Sequence, residues 1–144
     1  MRGMGARVGS ESVTGGVRVR AIPVYLPQES DPDSRRFVFG YRIRITNEGE
    51  QNIKLLSRYW HIVDADGEAA TVRGEGVVGQ QPELGRGESF EYSSYCPLAT
   101  PWGTMEGSYT MVHLFDTGKP ARGEPFEVAI SRFYLVSGVG ATQP

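Results

Sequence analysis

The sequence predicts an all-β fold, two antiparallel sheets packed face to face as a sandwich of about seven strands. Three observations predict it. Nineteen glycines and nine prolines are spread over 144 residues, so no long stretch keeps a helical apolar period free of breakers. Short runs in which apolar and polar residues alternate recur along the chain. Turn-forming clusters separate these runs and leave no segment for the crossover helices of a parallel sheet.

The first run is Val17, Val19 and Ala21 alternating with Arg18 and Arg20, continuing to Val24 and Tyr25 with Pro23 inside it. Proline cannot donate to a ladder, so this reads as an edge strand. The polar stretch 28–35 is a loop. Phe37, Phe39, Tyr41, Ile43 and Ile45 then share one face, with Val38, Gly40, Arg42 and Arg44 on the other, the pattern of a half-buried strand. Asn47, Glu48 and Gly49 turn the chain into a third strand over 53–63. Asp66-Gly67 reads as a two-residue hairpin turn, because both central positions of a type I′ turn need positive φ. That register sets Trp60 opposite Arg73 and Arg58 opposite Glu75 as the chain returns over 69–73. A second turn, "ELGRGES", precedes strands at 90–95, 109–115 and 126–136. Seven strands of this kind suit an immunoglobulin or fibronectin type III-like sandwich. A single domain over 15–137 is expected, with a flexible N-terminal tail at 1–14 and a C-terminal tail at 138–144.

Composition narrows the function classes. With 39% hydrophobic and 22% charged residues the chain can bury a core. A net charge of −2 gives no field to gather nucleic acid, so none is expected as a partner. The single cysteine, Cys96, excludes an internal disulfide framework and suits a reducing compartment. "MRGMGARVGSES" has no apolar core of a secretory signal, and no run nears the roughly 18 apolar residues that span a bilayer. A cytoplasmic protein with no membrane partner is expected.

Within "RGEGVVGQQP", Gly74, Gly76 and Gly79 have the spacing G-x-G-x-x-G. In a dinucleotide-binding fold this motif follows a strand and opens a helix whose amides and dipole meet a pyrophosphate. Here Gln80, Gln81, Pro82, Glu83, Leu84 and Gly85 leave no room for a helix. A weaker anion site remains open, in which glycine amides converge as a nest beside the Arg73 guanidinium. The competing reading is structural: the glycines serve a strand-exit loop, Arg73 lies over Trp60 and Arg58 pairs with Glu75.

His61, His113 and Cys96 have no zinc-site spacing, and Glu29, Asp31 and Asp33 read as a solvated loop, so neither a metal nor a cofactor is expected. Cys96 has no neighbouring base, and His113 with Asp116 could assist only if folding brought them near it, so no catalytic residue is assigned and the chain reads as a non-enzyme. The stretch "CPLATPWGTMEGSY" at 96–109 reads as a long loop whose Trp102 and Met105 either anchor a protein partner or cap the core. The edge strand leaves a homodimer as an option, which Pro23 opposes.

Taken together, "RRFVFGYRIRITNEG" at 35–49, "RYWHIVDADG" at 58–67, "GEGVVGQQP" at 74–82 and "TPWGTMEGSY" at 100–109 resemble the signature segments of the ApaG family, and the likeness runs from about 17 to 136. The resemblance implies a fibronectin-like β-sandwich without catalytic residues. It implies a link to cobalt and magnesium resistance or efflux, which is the context of bacterial members, and that link has to be indirect in a chain with no membrane span. Similar domains in eukaryotic F-box and DNA-polymerase-interacting proteins serve as interaction modules. The family's glycine segment has been likened to a pyrophosphate-binding motif, which falls on Gly74, Gly76 and Gly79 here. The leading expectation is a protein-interaction module presenting the glycine loop and the Trp102 loop to an unidentified protein. The alternative is a sensor of pyrophosphate or nucleotide phosphate at Arg73, Gly74, Gly76 and Gly79. Nucleotide hydrolysis is a third, because family members are often encoded beside a dinucleoside-polyphosphate hydrolase.

Overall fold

The computed structural model describes residues 8–114 and 123–139. Phe115 and Asp116 lie outside the described residues, as do 1–7 and 140–144 of the expected tails.

From Ser10 onward the described regular elements are nine strands and two 3₁₀ turns, Pro27–Glu29 and Pro32–Ser34. The strands are β1 (Ser10–Thr14), β2 (Val17–Tyr25), β3 (Phe37–Asn47), β4 (Asn52–Asp64), β5 (Ala69–Glu75), β6 (Glu83–Leu84), β7 (Ser89–Leu98), β8 (Trp102–Leu114) and β9 (Phe126–Val136). One sheet runs β1-β2-β3-β7 and the other β5-β4-β8-β9, with β6 paired to β4. Every pairing is antiparallel. The two-sheet sandwich follows from the alternation: Phe39, Tyr41, Ile43 and Ile45 of β3 are buried against Trp60, Met105, Tyr109 and Phe133 of the second sheet. At its centre Tyr41 stacks on Trp60 at 5.3 Å between ring centroids, and Phe133 meets both rings edge-on. Such aromatic pairs contribute about 0.5–1.5 kcal/mol each beyond the area they bury.

Four expectations are corrected. The tail at 1–14 is not wholly a tail, because Ser10–Thr14 forms β1 through a hairpin at Gly15 and Gly16, whose φ of 57° and 81° suit a type I′ turn. β2 is therefore an edge strand only beyond Ala21, where β1 stops. Leu26 N donates to Val38 O, and backbone groups alternate sides, so the missing N–H of Pro23 falls on that open edge. The long loop at 96–109 is instead the end of β7, a tight turn and the start of β8.

The fourth correction is a register slip. Tyr59, not Trp60, pairs with Arg73, and Gly74, not Glu75, lies opposite Arg58. The hairpin loop is one residue longer than the I′ reading allows: Asp64 N donates to Glu68 O, and Asp64 Oδ1 accepts from the amides of Asp66 and Glu68. Only Gly67 of the loop has positive φ, 85°. The Asp64 side chain substitutes for the second positive-φ residue by holding a wider turn, and sequence spacing does not reveal that.

Candidate functional site

The glycine segment leaves β5 and makes a small hairpin of its own. Val77 N donates to Gln80 O at 2.8 Å and Gln80 N to Val77 O at 2.9 Å, with Val78 and Gly79 as central residues at φ 43° and 80°. No helix follows it, which ends the dinucleotide-fold reading on structure as well as sequence. The Gly76 amide donates to Leu56 O at 2.8 Å. Three amides of the segment are thus engaged within the fold. Gly76, at φ 64°, also lets Gln80 O come close: a Cβ there would lie 2.2 Å from that oxygen.

Arg58 explains Gly74. It shares a face of β4 with buried Trp60, and its guanidinium lies over Gly74, where a Cβ would come within 2.8 Å of it. From there Nη1 donates to Glu75 O at 3.1 Å and Gly76 O at 2.9 Å. The expected Arg58–Glu75 contact exists, but through the backbone carbonyl. Arg73 is on the other face, with its guanidinium carbon 4.4 Å from the centroid of Tyr59. The cation–π contact was legible and its ring was not, since a one-residue slip exchanges the two faces of a strand.

Beside Arg73 the second sheet holds a groove of about 510 Å³, lined also by Ser57, Arg58, Tyr59, Gly74, Ser108, Thr110 and the carboxylates Glu75 and Glu127. Glu127 accepts from Ser108 at 3.0 Å and Thr110 at 2.7 Å.

The Trp102 and Met105 assignments separate. Met105 is 1% exposed in the core, so its expected role as a partner contact is corrected: in β8 it points inward, and only the loop reading had put it outside. Trp102 is 48% exposed. It pairs with Val136, and Thr104 pairs with Tyr134, so Trp102, Tyr134 and Val136 form one exposed apolar patch at the end of β8 and β9. Thr100 fixes this corner from inside, accepting from Ala65 N at 3.0 Å and donating to Trp102 O at 2.8 Å. Sequence alone does not single out Tyr134 and Val136, because a strand pattern does not show which of its outward apolar residues stays uncovered.

Cys96 is buried, and burial raises its thiol to about 11, away from the thiolate that nucleophilic chemistry needs. His113 is stacked on Phe126 at 4.5 Å. Among the described residues no group of three His, Cys, Asp or Glu side chains is placed to hold a metal ion. No helix among them is long and apolar enough to cross a membrane.

The ApaG domain matches residues 27–113. The chain belongs to the ApaG family. It is 48% identical to Protein ApaG of Mesorhizobium japonicum, over 86% of this chain and 90% of that one. Against Protein ApaG of Rhodospirillum centenum it is 49% identical, over 92% and 96%. A crystal structure of the ApaA protein from Bordetella pertussis superposes with a TM-score of 0.76 at 45% identity, covering 88% of this chain and 94% of that one. The ApaG resemblance of the four sequence segments is thereby established over most of the chain.

Proposed function

We propose that this member of the ApaG family is a non-enzymatic interaction module that engages a protein partner through the patch of Trp102, Tyr134 and Val136. The observation that carries the reading is the exposure of three large apolar side chains side by side on rigid strands, at a corner pinned by Thr100. Aromatic groups on such platforms supply much of the energy of protein interfaces, because little side-chain freedom is lost on binding. The link to cobalt and magnesium resistance is then indirect, made by the partner.

A photo-crosslinking residue at Tyr134, expressed in a bacterial cell, should give one discrete adduct that Trp102→Ala removes, while the same residue at Gln28 gives none. In the purified protein, Trp102→Ala should cost well under the roughly 3–5 kcal/mol of a buried Trp→Ala change, for which Trp60→Ala is the internal standard. Equal losses would return Trp102 to the core, and an adduct unaffected by Trp102→Ala would move the interface elsewhere.

A second reading, a pyrophosphate or nucleotide-phosphate sensor, is favoured by the groove beside Arg73. It has to use that groove and its hydroxyls, because the amides of Gly76, Val77 and Gln80 already have backbone acceptors. Calorimetry with pyrophosphate and ATP, with and without magnesium, on wild type and Arg73→Ala decides it: no heat at millimolar ligand removes the reading. Gly76→Ala is a poor control, since it breaks the turn itself.

A further inference from the structure

The outer face of the first sheet carries a groove that neither reading uses. Its volume is about 340 Å³, and its floor is Gly40, in the middle of β3. Across the strands Gly40 pairs with Val24 on one side and Tyr95 on the other. Val24 is 55% exposed and Tyr95 70% exposed, so two large side chains stand free on either side of a residue that has none. The slot between them is a place for an apolar side chain. Leu26 closes one wall, its Cδ1 lying 3.4 Å from where a Gly40 Cβ would be.

Two residues along β3, on the same face, is Arg42, opposite Ile22 on one side and Ser93 on the other. Arg20 follows on β2, two residues from Ile22. The neighbouring arginines are neutralised locally, Arg18 by Glu48 at 2.7 Å and Glu11 at 3.2 Å, and Arg44 by Glu91 at 2.9 Å. Among the described residues Arg20 and Arg42 have no carboxylate within 4.0 Å. Glu11 faces Arg20 in register, but its carboxylate is held by Arg18. The face therefore offers an apolar slot and, two strand positions away, unneutralised positive charge.

We infer that this groove is a docking site for an extended acidic segment of a partner protein, with an apolar side chain over Gly40 and a carboxylate two residues away at Arg42. The spacing argument is direct. An extended segment repeats its same-side residues every two positions, about 6.6 Å, which is also the step from Gly40 to Arg42 along β3. Backbone-led strand addition at the adjacent edge of β2 is disfavoured, because the position of Pro23 removes a donor there. Recognition is thus by side chains on the face, where Arg and Tyr are the residue types that concentrate interface energy. This site lies on the opposite sheet from Trp102 and does not rest on that patch.

The test is selection of peptides from a phage-displayed library of random ten-residue sequences against the folded full chain. Binding of a selected peptide is then measured by fluorescence polarisation. The selected sequences should share an apolar residue with Asp or Glu two positions from it. Binding should weaken with added salt and fall about tenfold or more in Arg42→Glu and in Tyr95→Ser, while Thr71→Ala, an exposed change on β5 of the other sheet, binds as wild type. A peptide with Lys in place of the acidic residue should regain binding to Arg42→Glu. Because Arg42 and Tyr95 are exposed, both variants should keep the wild-type melting temperature. Gly40→Val provides a further variant by filling the slot directly. Any of these results would overturn the proposal: no enrichment, enriched peptides without the acidic residue, binding indifferent to Arg42→Glu, or a wild-type dimer that Tyr95→Ser converts to monomer. The last would mean that a second copy occupies the groove. Arg42-dependent binding of phosphatidylglycerol vesicles in place of peptides would overturn it equally.

Discussion

Removing one hydroxyl from the pair Tyr92 and Tyr109 should cost more than removing both. The two oxygens are 2.5 Å apart between the sheets, with Tyr109 fully buried and Tyr92 8% exposed. In Tyr92→Phe the Tyr109 hydroxyl keeps its buried site and loses its partner, a penalty of about 1–3 kcal/mol. In Tyr109→Phe the stranded Tyr92 hydroxyl is nearer solvent, so the loss belongs at the lower end, about 1 kcal/mol. The double variant strands nothing and should lie within about 1 kcal/mol of wild type, since replacing both partners by apolar groups can be nearly neutral. With a urea m-value of about 2 kcal/mol/M, the single changes move the midpoint down by roughly 0.5–1.5 M, and the second change restores most of it. The assay is a double-mutant cycle by urea denaturation followed by tryptophan fluorescence. Additive losses, or single variants indistinguishable from wild type, would refute the claim that this bond offsets a buried polar cost.

Three further outcomes are expected. Burial raises the Cys96 thiol from 9.0 to about 11 and the phenols of Tyr41, Tyr92 and Tyr109 above 10.0. Their folded pKa values exceed the unfolded ones, so their contribution is fully present below about pH 9 and is lost progressively above it; urea midpoints measured from pH 7 to 11 should show a decline whose first part Cys96→Ala removes. Val78 holds φ 43°, unfavourable for a β-branched residue, while exposing 52% of its surface. Val78→Asn should therefore raise stability by about 1 kcal/mol, seen as a higher melting temperature, and an unchanged value would mean that the turn carries no strain. Asn47 is buried, with Nδ2 donating to Gln51 O at 2.9 Å and Leu84 O at 3.0 Å. In Asn47→Asp a carboxylate faces both carbonyls, and the urea midpoint should fall by an amount equivalent to about 3 kcal/mol.

Period-two alternation made most of the fold legible. Phe39, Tyr41, Ile43 and Ile45 in β3 point where the sequence says they should, and all seven expected strands exist. The two added strands were hidden for different reasons. β1, "SESVT", has a single large apolar residue, Val13, which is 47% exposed. It is held by pairing to β2 and by Ser10 and Thr14 hydroxyl bonds to the backbone of β9, long-range contacts that leave no local apolar signal. Its one sequence cue was the Gly15-Gly16 dipeptide. β6 is two residues long and owes its existence to pairing with Ile53 and Lys54. The candidate sites were less legible than the fold, because they depend on which face each residue takes. Trp102 and Met105 are three apart, so in a strand they take opposite faces; read as a loop, both were free to point outward.

The glycine motif makes the same point about function. Anion nests need amides without internal acceptors, and positive-φ glycines are only the means of aiming them. Here the three glycines are explained by geometry that has no need of an anion. Gly74 admits the Arg58 guanidinium, Gly76 admits the Gln80 carbonyl, and Gly79 closes a two-residue turn. The cation supplied to this loop is internal, since Arg58 donates to the carbonyls of Glu75 and Gly76, oxygens that an incoming phosphate would repel. Arg73 lies over Tyr59 and shares its groove with Gly74 but not with Gly76 or Gly79, so the residues that look contiguous in sequence as a phosphate cradle do not converge on one place. What the loop does hold rigidly is the end of β5 against Leu56, through Gly76 N and Gln81 Nε2. The spacing G-x-G-x-x-G therefore records the close approaches of a β-turn. Any ligand at this end of the molecule has to be recognised by the open groove around Arg73, Ser57 and Thr110.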